Sequence, residues 1–190
     1  MVVVREEKIA DAAAREALLD EAYGAARLAK TSERLREGRL PASGLSLVAA
    51  DRRKIVGTVR LWNIVAGSGR DALLLGPLAV HPDYRNRGIG TALVRNAIAR
   101  AQLAGHDAIV LVGDAAYYHR FGFSSVLTGE LWMPGRNEHD RLLALELRLG
   151  ALTGARGLIG ATGSVAVKPD LNARIAAEAK LRRAPIRRAA

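Results

Sequence analysis

The chain of 190 residues has no cysteine, only eight aromatic side chains (two Trp, four Tyr, two Phe), and a shortage of acids, 19 Asp and Glu against 29 Lys and Arg. It also has no apolar run approaching the roughly 20 residues that a membrane-spanning helix needs. Without cysteine there can be no disulfide scaffold, thiolate zinc site, iron–sulfur cluster or cysteine nucleophile. The opening Met1-Val2-Val3-Val4-Arg5-Glu6-Glu7-Lys8 lacks the apolar stretch of a secretion signal. A soluble protein of the reducing cytoplasm, with no membrane partner, is therefore the expectation.

What is present describes a folded domain: 49% hydrophobic and 25% charged residues, with a formal net charge of +10. The length suits one domain plus an appendage and excludes two large domains. Arginine supplies 24 of the 29 basic side chains, which favours an oxyanion partner because guanidinium binds phosphate and carboxylate in a fork. Residues 1–150 hold 21 basic and 17 acidic side chains, whereas 151–190 hold 8 and 2. A Gly-rich stretch from Gly154 to Gly163 opens that last part, so 151–190 is expected as a connection and basic tail. Within it, Pro169, Leu171, Ile175 and the Glu178/Arg182 pair suit either a short basic helix or a peripheral segment without a core. No internal repeat is visible.

Within 1–150 the hydrophobic period changes from element to element. An opening strand precedes a helix over Asp11–Tyr23, with Ala14, Leu18, Leu19, Ala22 and Tyr23 inward and Arg15, Glu16, Asp20 and Glu21 outward. A short polar helix follows Thr31. Leu45–Ala50 and Lys54–Val65 read as a hairpin about Asp51-Arg52-Arg53, Leu73–Val80 as a further strand, and Ile89–Ala104 as an amphipathic helix. Ala108–Val112 reads as a buried strand and Ala115–Arg120 as a short helix. Val126–Trp132 and Leu142–Arg148 read as a closing strand pair. The class is mixed α/β (α+β), a mostly antiparallel twisted sheet flanked by helices.

The chemistry concentrates where a strand turns into a helix, Leu75-Gly76-Pro77-Leu78-Ala79-Val80-His81-Pro82-Asp83-Tyr84-Arg85-Asn86-Arg87-Gly88-Ile89-Gly90-Thr91. Amides at a helix start lack intrahelical partners and carry the positive end of the dipole, and glycines let a pyrophosphate approach them. The same glycines also suit a tight turn packed against a neighbour, with no ligand. No Gly-Lys-Ser/Thr run forms a P-loop, and Leu93 stands where a dinucleotide fingerprint needs a third small residue.

Arg85-x-x-Gly88-x-Gly90, preceded by Val80-His81-Pro82-x-Tyr84, resembles the acetyl-CoA signature of the GNAT superfamily of N-acetyltransferases. Tyr117-Tyr118-His119-Arg120-Phe121-Gly122-Phe123 is similar to that family's Tyr-x-x-x-Gly-Phe segment. The whole Gly113-Asp114-x-x-Tyr117-Tyr118-x-Arg120-Phe121-Gly122-Phe123 run is like that of one bacterial branch, with Ala115-Ala116 where that branch has a proline. The resemblance covers about residues 1–150. It implies acetyl transfer from acetyl-CoA to a primary amine by direct attack in a ternary complex.

The resemblance also implies roles for single residues. Main-chain groups of Leu78, Ala79 and Val80 would pair with the pantetheine arm. Arg85, Asn86, Arg87, Gly88, Ile89, Gly90 and Thr91 would hold the pyrophosphate. Tyr118 would touch the cofactor and protonate the departing thiolate. Pro77, which cannot donate in a ladder, marks a splay or bulge. The acceptor would lie against the first two helices and the loop Met133–Asp140, where Trp62 and Trp132 either line a pocket or pack in the core, and Glu138 and Asp140 either attract an amine or face solvent.

No general base is evident. His81 reads as a positional or solvated residue, Asp114 as a helix cap, and His119 and His139 as surface residues. Histidines at 81, 106, 119 and 139 show no ligand spacing, so no metal is expected. The rival reading is a nucleic-acid- or ribosome-associated module using the basic tail. A homodimer is compatible with either.

Overall fold

The computed structural model describes residues 1–135 and 139–167; the tail helix expected from Pro169 lies outside the described residues. The elements are β1 (Val2–Glu6), α1 (Ala12–Tyr23), β2 (Ser46–Asp51), β3 (Lys54–Ala66), β4 (Arg70–Val80), α2 (Ile89–Leu103), β5 (Ala108–Val112), α3 (Ala115–Tyr118), β6 (Leu131–Trp132), β7 (Leu142–Glu146), β8 (Gly157–Leu158) and β9 (Gly160–Ala161). The main sheet runs β1-β2-β3-β4-β5-β7, with β9 paired to β3. Only β4 and β5 are parallel neighbours in it. This is the mixed, mostly antiparallel α/β sheet that the hydrophobic periods predict.

Period-two alternation divides the sheet between two cores. Val59 and Leu61 of β3, Leu73 and Leu75 of β4, and Ile109 and Leu111 of β5 face the apolar stripe Ile89, Leu93, Val94, Ala97 and Ala101 of α2. Trp62, Ile64, Leu74 and Val110 face the other way. β5 is covered on both faces, which is why it reads as one continuous apolar run. On the second face, Leu18 and Leu19 of α1 pack on Val48, Ala50, Ile55 and Ala79. Among the described residues no helix is long and apolar enough to cross a membrane.

Three expectations are corrected. Arg15, expected outward, is buried: with Leu18, Leu19 and Ala22 it completes a helical stripe at i, i+3, i+4 and i+7. Its guanidinium is met by Glu7, just past the end of β1, and by Glu16 at 2.6 Å, which satisfies the charge that burial would strand. Ala14, expected inward, is exposed. The closing strand pair is also different. Val126–Thr128 is a 3-10 turn, β6 pairs in parallel with β8, and β7 pairs with β5. Packing also continues past residue 150: Ala151, Leu152, Ala155 and Ile159 are buried against the second face and β9 pairs with Ile64 and Val65.

Candidate active site

β4 follows β3 along its length but meets β5 only at Leu73↔Ile109 and Leu74↔Val110. Beyond Leu75 the two strands part. The register with β3 slips between Val59 and Leu61, and Gly76-Pro77 is a cis peptide whose proline donates no hydrogen bond. Trp62 Nε1 donates to the Gly76 carbonyl at 2.6 Å, so this tryptophan is a core residue anchoring the splay and does not line the recess beside it. Past the splay, the His81 amide donates to Val56 of β3 at 2.9 Å. Because successive amides alternate between strand edges, the main-chain groups of Val80 and Leu78 face away from β3 into the gap. The Leu78 carbonyl there accepts the Tyr23 hydroxyl.

At the end of β4, His81 Nδ1 accepts from the Asp83 amide and caps the 3-10 turn Pro82–Tyr84. This is a positional role. Asn86 and Gly88 then take φ of 59° and 74°, reversing the chain into α2. Left-handed backbone favours glycine at the second of these positions, which is the helix N-cap. The Ala92 amide opens the helical ladder by donating to Gly88, so the amides before it have no carbonyl one turn earlier.

These groups open on a recess of about 510 Å3 lined by Val80, Arg85, Asn86, Gly88, Ile89, Gly90 and Thr91, together with Tyr84, Tyr117 and Arg120. Two expected residues line neither this recess nor the one at Tyr118 described below. Ala79 buries its side chain under α1, and the Arg87 guanidinium lies 5.1 Å over the Tyr84 ring. Arg120, not singled out from the sequence, lies 4.8 Å over the Tyr117 ring and adds a cation to the recess.

A second recess, about 120 Å3, opens at the splay itself between Leu74–Leu78, Val112, Tyr118 and the segment after α1. Asp114 accepts from the Ala116 amide at 3.1 Å and starts α3 as its cap. The Tyr118 ring then packs among Tyr117, Phe121 and Phe123, with centroids 5.0, 6.3 and 5.8 Å away. Burial raises its phenol pKa strongly, and the neighbouring Tyr23 and Tyr117 add to the shift. Burial also raises that of Tyr23, against the opposing fields of Arg36 and Arg85. Both phenols therefore keep their protons at neutral pH.

The segment after α1 brings Arg27, Lys30, Ser32, Glu33 and Arg36 to this recess, and Arg141 closes it from the start of β7. Arg36 is 7% exposed, held by the Ser32 carbonyl and hydroxyl and by Glu33 at 3.0 Å. None of these residues stood out in the sequence. Trp132 is 51% exposed away from this recess, and Met133 belongs to the second core. His119 and Asp140 are exposed, while Arg136–Glu138 lie outside the described residues. Among the described residues no group of three or more His, Cys, Asp or Glu is placed to hold a metal ion.

The sheet parts after β4 with a glycine-marked helix start beside the parting, as the resemblance to acetyl-CoA-dependent transferases implies. Residues 42–125 match the acetyltransferase (GNAT) domain model. The uncharacterised N-acetyltransferase YhbS of Escherichia coli K12 is 29% identical over 159 residues, covering 83% of this chain and 95% of that protein. The uncharacterised N-acetyltransferase YjhQ of the same organism is 33% identical over 105 residues, and the match spans 54% of this chain and only 58% of YjhQ. The solved structure of E. coli YhbS in complex with CoA superposes with a TM-score of 0.71 at 31% identity, covering 85% of this chain and 89% of that one. A GNAT family acetyltransferase from Brucella melitensis in complex with acetyl-CoA gives 0.59 at 27% identity, covering 88% and 96%. The chain belongs to the GNAT family of N-acetyltransferases, and acetyl transfer is its class of reaction.

Proposed function

We propose that this chain binds acetyl-CoA along the free edge of β4 and transfers the acetyl group to a primary amine by direct attack within a ternary complex. The observation that carries this reading is the pair of recesses at the two ends of that edge, one at the α2 turn and one at Tyr118. The CoA and acetyl-CoA complexes of the two structural relatives support it.

In this reading the amides of the α2 turn, with Arg85 and Arg120, hold the pyrophosphate. The gap-facing main chain of Val80 and Leu78 pairs with the pantetheine arm as an added strand would. The Leu78 amide donates to the thioester carbonyl as it gains charge, an interaction of about 2.7–4 kcal/mol in comparable sites. Tyr118 donates to the departing thiolate. Its raised pKa guarantees a protonated phenol but makes complete transfer to a thiolate of conjugate-acid pKa near 8.5 uphill, so Tyr118 acts by a hydrogen bond that tightens as the C–S bond lengthens. The amine must arrive neutral, a form that is only about 0.04% of an ordinary alkylamine at pH 7.

The test is CoA release from acetyl-CoA across a panel of amines, with thiol detection. Amine-dependent release by the intact chain, falling in kcat more than in acetyl-CoA affinity for Tyr118→Phe, is the expected result. Release that needs no amine, or an unchanged kcat in that variant under chemistry-limited conditions, contradicts it. The nucleic-acid reading draws on the basic residues of 168–190, which lie outside the described residues.

A further inference from the structure

Among the described residues four cations line the recess at Tyr118, and they are not equivalent. Arg27 is neutralised by Glu16 at 2.5 Å and Asp20 at 2.8 Å, and Arg36 by Glu33 at 3.0 Å. Lys30 and Arg141 are exposed and form no salt bridge among the described residues. The Lys30 ammonium rests 4.4 Å over the Tyr23 ring, whose hydroxyl reaches the Leu78 carbonyl. Arg141 is fixed through its backbone, because its carbonyl accepts from the Gly113 amide at 2.9 Å, just ahead of the turn into α3. Glu33, the one carboxylate among the described residues lining the recess, is already committed to Arg36.

Among the described residues, the incoming amine thus meets two uncompensated positive charges beside the acyl group and no spare negative one. A plain alkylammonium gains nothing from such a site and is repelled by it. An amine that carries its own carboxylate or phosphate is attracted, and its anion, held by the two side chains, turns the nitrogen toward the thioester. We infer that the acceptor is an amine bearing an oxyanion, carboxylate or phosphate, with Lys30 and Arg141 as the residues that select it. This inference rests on the acetyl-transfer reading above.

The step balances as an ordinary aminolysis. The neutral nitrogen forms the amide bond to the acetyl carbon, and the C–S bond breaks with its electron pair on sulfur, which leaves as a thiolate hydrogen-bonded to the Tyr118 phenol. The proton lost from nitrogen passes to solvent, and solvent protonates the released thiolate.

The experiment is CoA release by the full chain with matched amines: glycine against glycinamide, β-alanine against β-alaninamide, and 2-aminoethyl phosphate against ethanolamine, with rates expressed per unprotonated amine. At least one anionic member should show kcat/KM about tenfold above its neutral partner, the discrimination of one charge-assisted contact. The carboxylate and phosphate pairs separate the two sources of the anion. Lys30→Gln combined with Arg141→Gln should bring the favoured pair within about threefold, with the loss in KM and not in kcat, whereas Arg141→Lys should retain most of the preference. Amine-dependent release without an anionic preference, or a preference indifferent to the double variant, overturns the inference and leaves acetyl transfer standing. Absence of both acetyl-CoA binding by titration and CoA release with any amine overturns the reading beneath it as well.

Discussion

A methyl group added at Gly113 tests whether the position of the Tyr118 phenol matters. A Cβ on Gly113 would lie 2.4 Å from Cε2 and 2.8 Å from Cδ2 of Tyr118, and 3.0 Å from a Leu111 methyl. Carbon atoms rest at about 3.5–4.0 Å, so the ring must retreat by roughly 1 Å. Tyr117, Phe121 and Phe123 block most directions, leaving the recess as the free one. Overpacking of this kind costs about 1–3 kcal/mol of stability, and a displacement of roughly 1 Å in a reacting group can cost about a hundredfold in rate. Gly113→Ala should therefore lower kcat by about ten- to a hundredfold, with a Tm loss of a few degrees and a smaller change in acetyl-CoA affinity. The assay is a double-mutant cycle with Tyr118→Phe, measuring kcat, acetyl-CoA Kd and Tm on all four proteins. If Gly113 acts through the phenol, adding Gly113→Ala to Tyr118→Phe costs little further rate. Independent, multiplicative losses, or a full kcat in Gly113→Ala at reduced Tm, refute the reasoning.

Two further predictions concern charged groups. Arg85 lines the recess at the α2 turn while Arg87 stacks over Tyr84, so Arg85→Ala should raise the acetyl-CoA Kd about tenfold and Arg87→Ala about two- to threefold, by isothermal titration. Equal effects would contradict the difference in their placement. Arg5 grips Asp11 at 2.6 and 3.0 Å and holds its carboxyl down to about 2. A depressed carboxylate pKa adds stability above the unfolded value of about 3.9, and that contribution fades as pH falls toward the folded value. In urea unfolding the gap between the wild type and Asp11→Asn should shrink from pH 5 to pH 2, and a constant gap would show that the ion pair is not its source.

Much of this site is legible in the sequence because its signals are local. Gly88 and Gly90 with Arg85 mark a helix start, and the aromatic run at Tyr117–Phe123 marks the second element, so most residues at the α2-turn recess fall within two short spans. The recess at the splay is different. Tyr23, Lys30, Arg36 and Arg141 meet only because α1, the segment after it and the start of β7 converge on the splay. No periodicity in any one segment announces that meeting. Arg15 illustrates a second limit, since a charge on a helical stripe reads as solvent-facing until Glu7, eight residues earlier and just past β1, is seen to meet it. The pairing of β6 with β8 and the burial of Ile159 likewise depend on a Gly-rich stretch folding back, which composition alone reads as a linker.

The central claim is that acetyl-CoA lies along the β4 edge and the α2 turn. Hydrogen–deuterium exchange of the full chain with and without acetyl-CoA tests it most directly. The account predicts slowed exchange in peptides spanning Leu78 to Thr91, with a smaller effect around Tyr117 and Tyr118. Unchanged exchange there under saturating acetyl-CoA, or protection confined to residues 168–190, would contradict it.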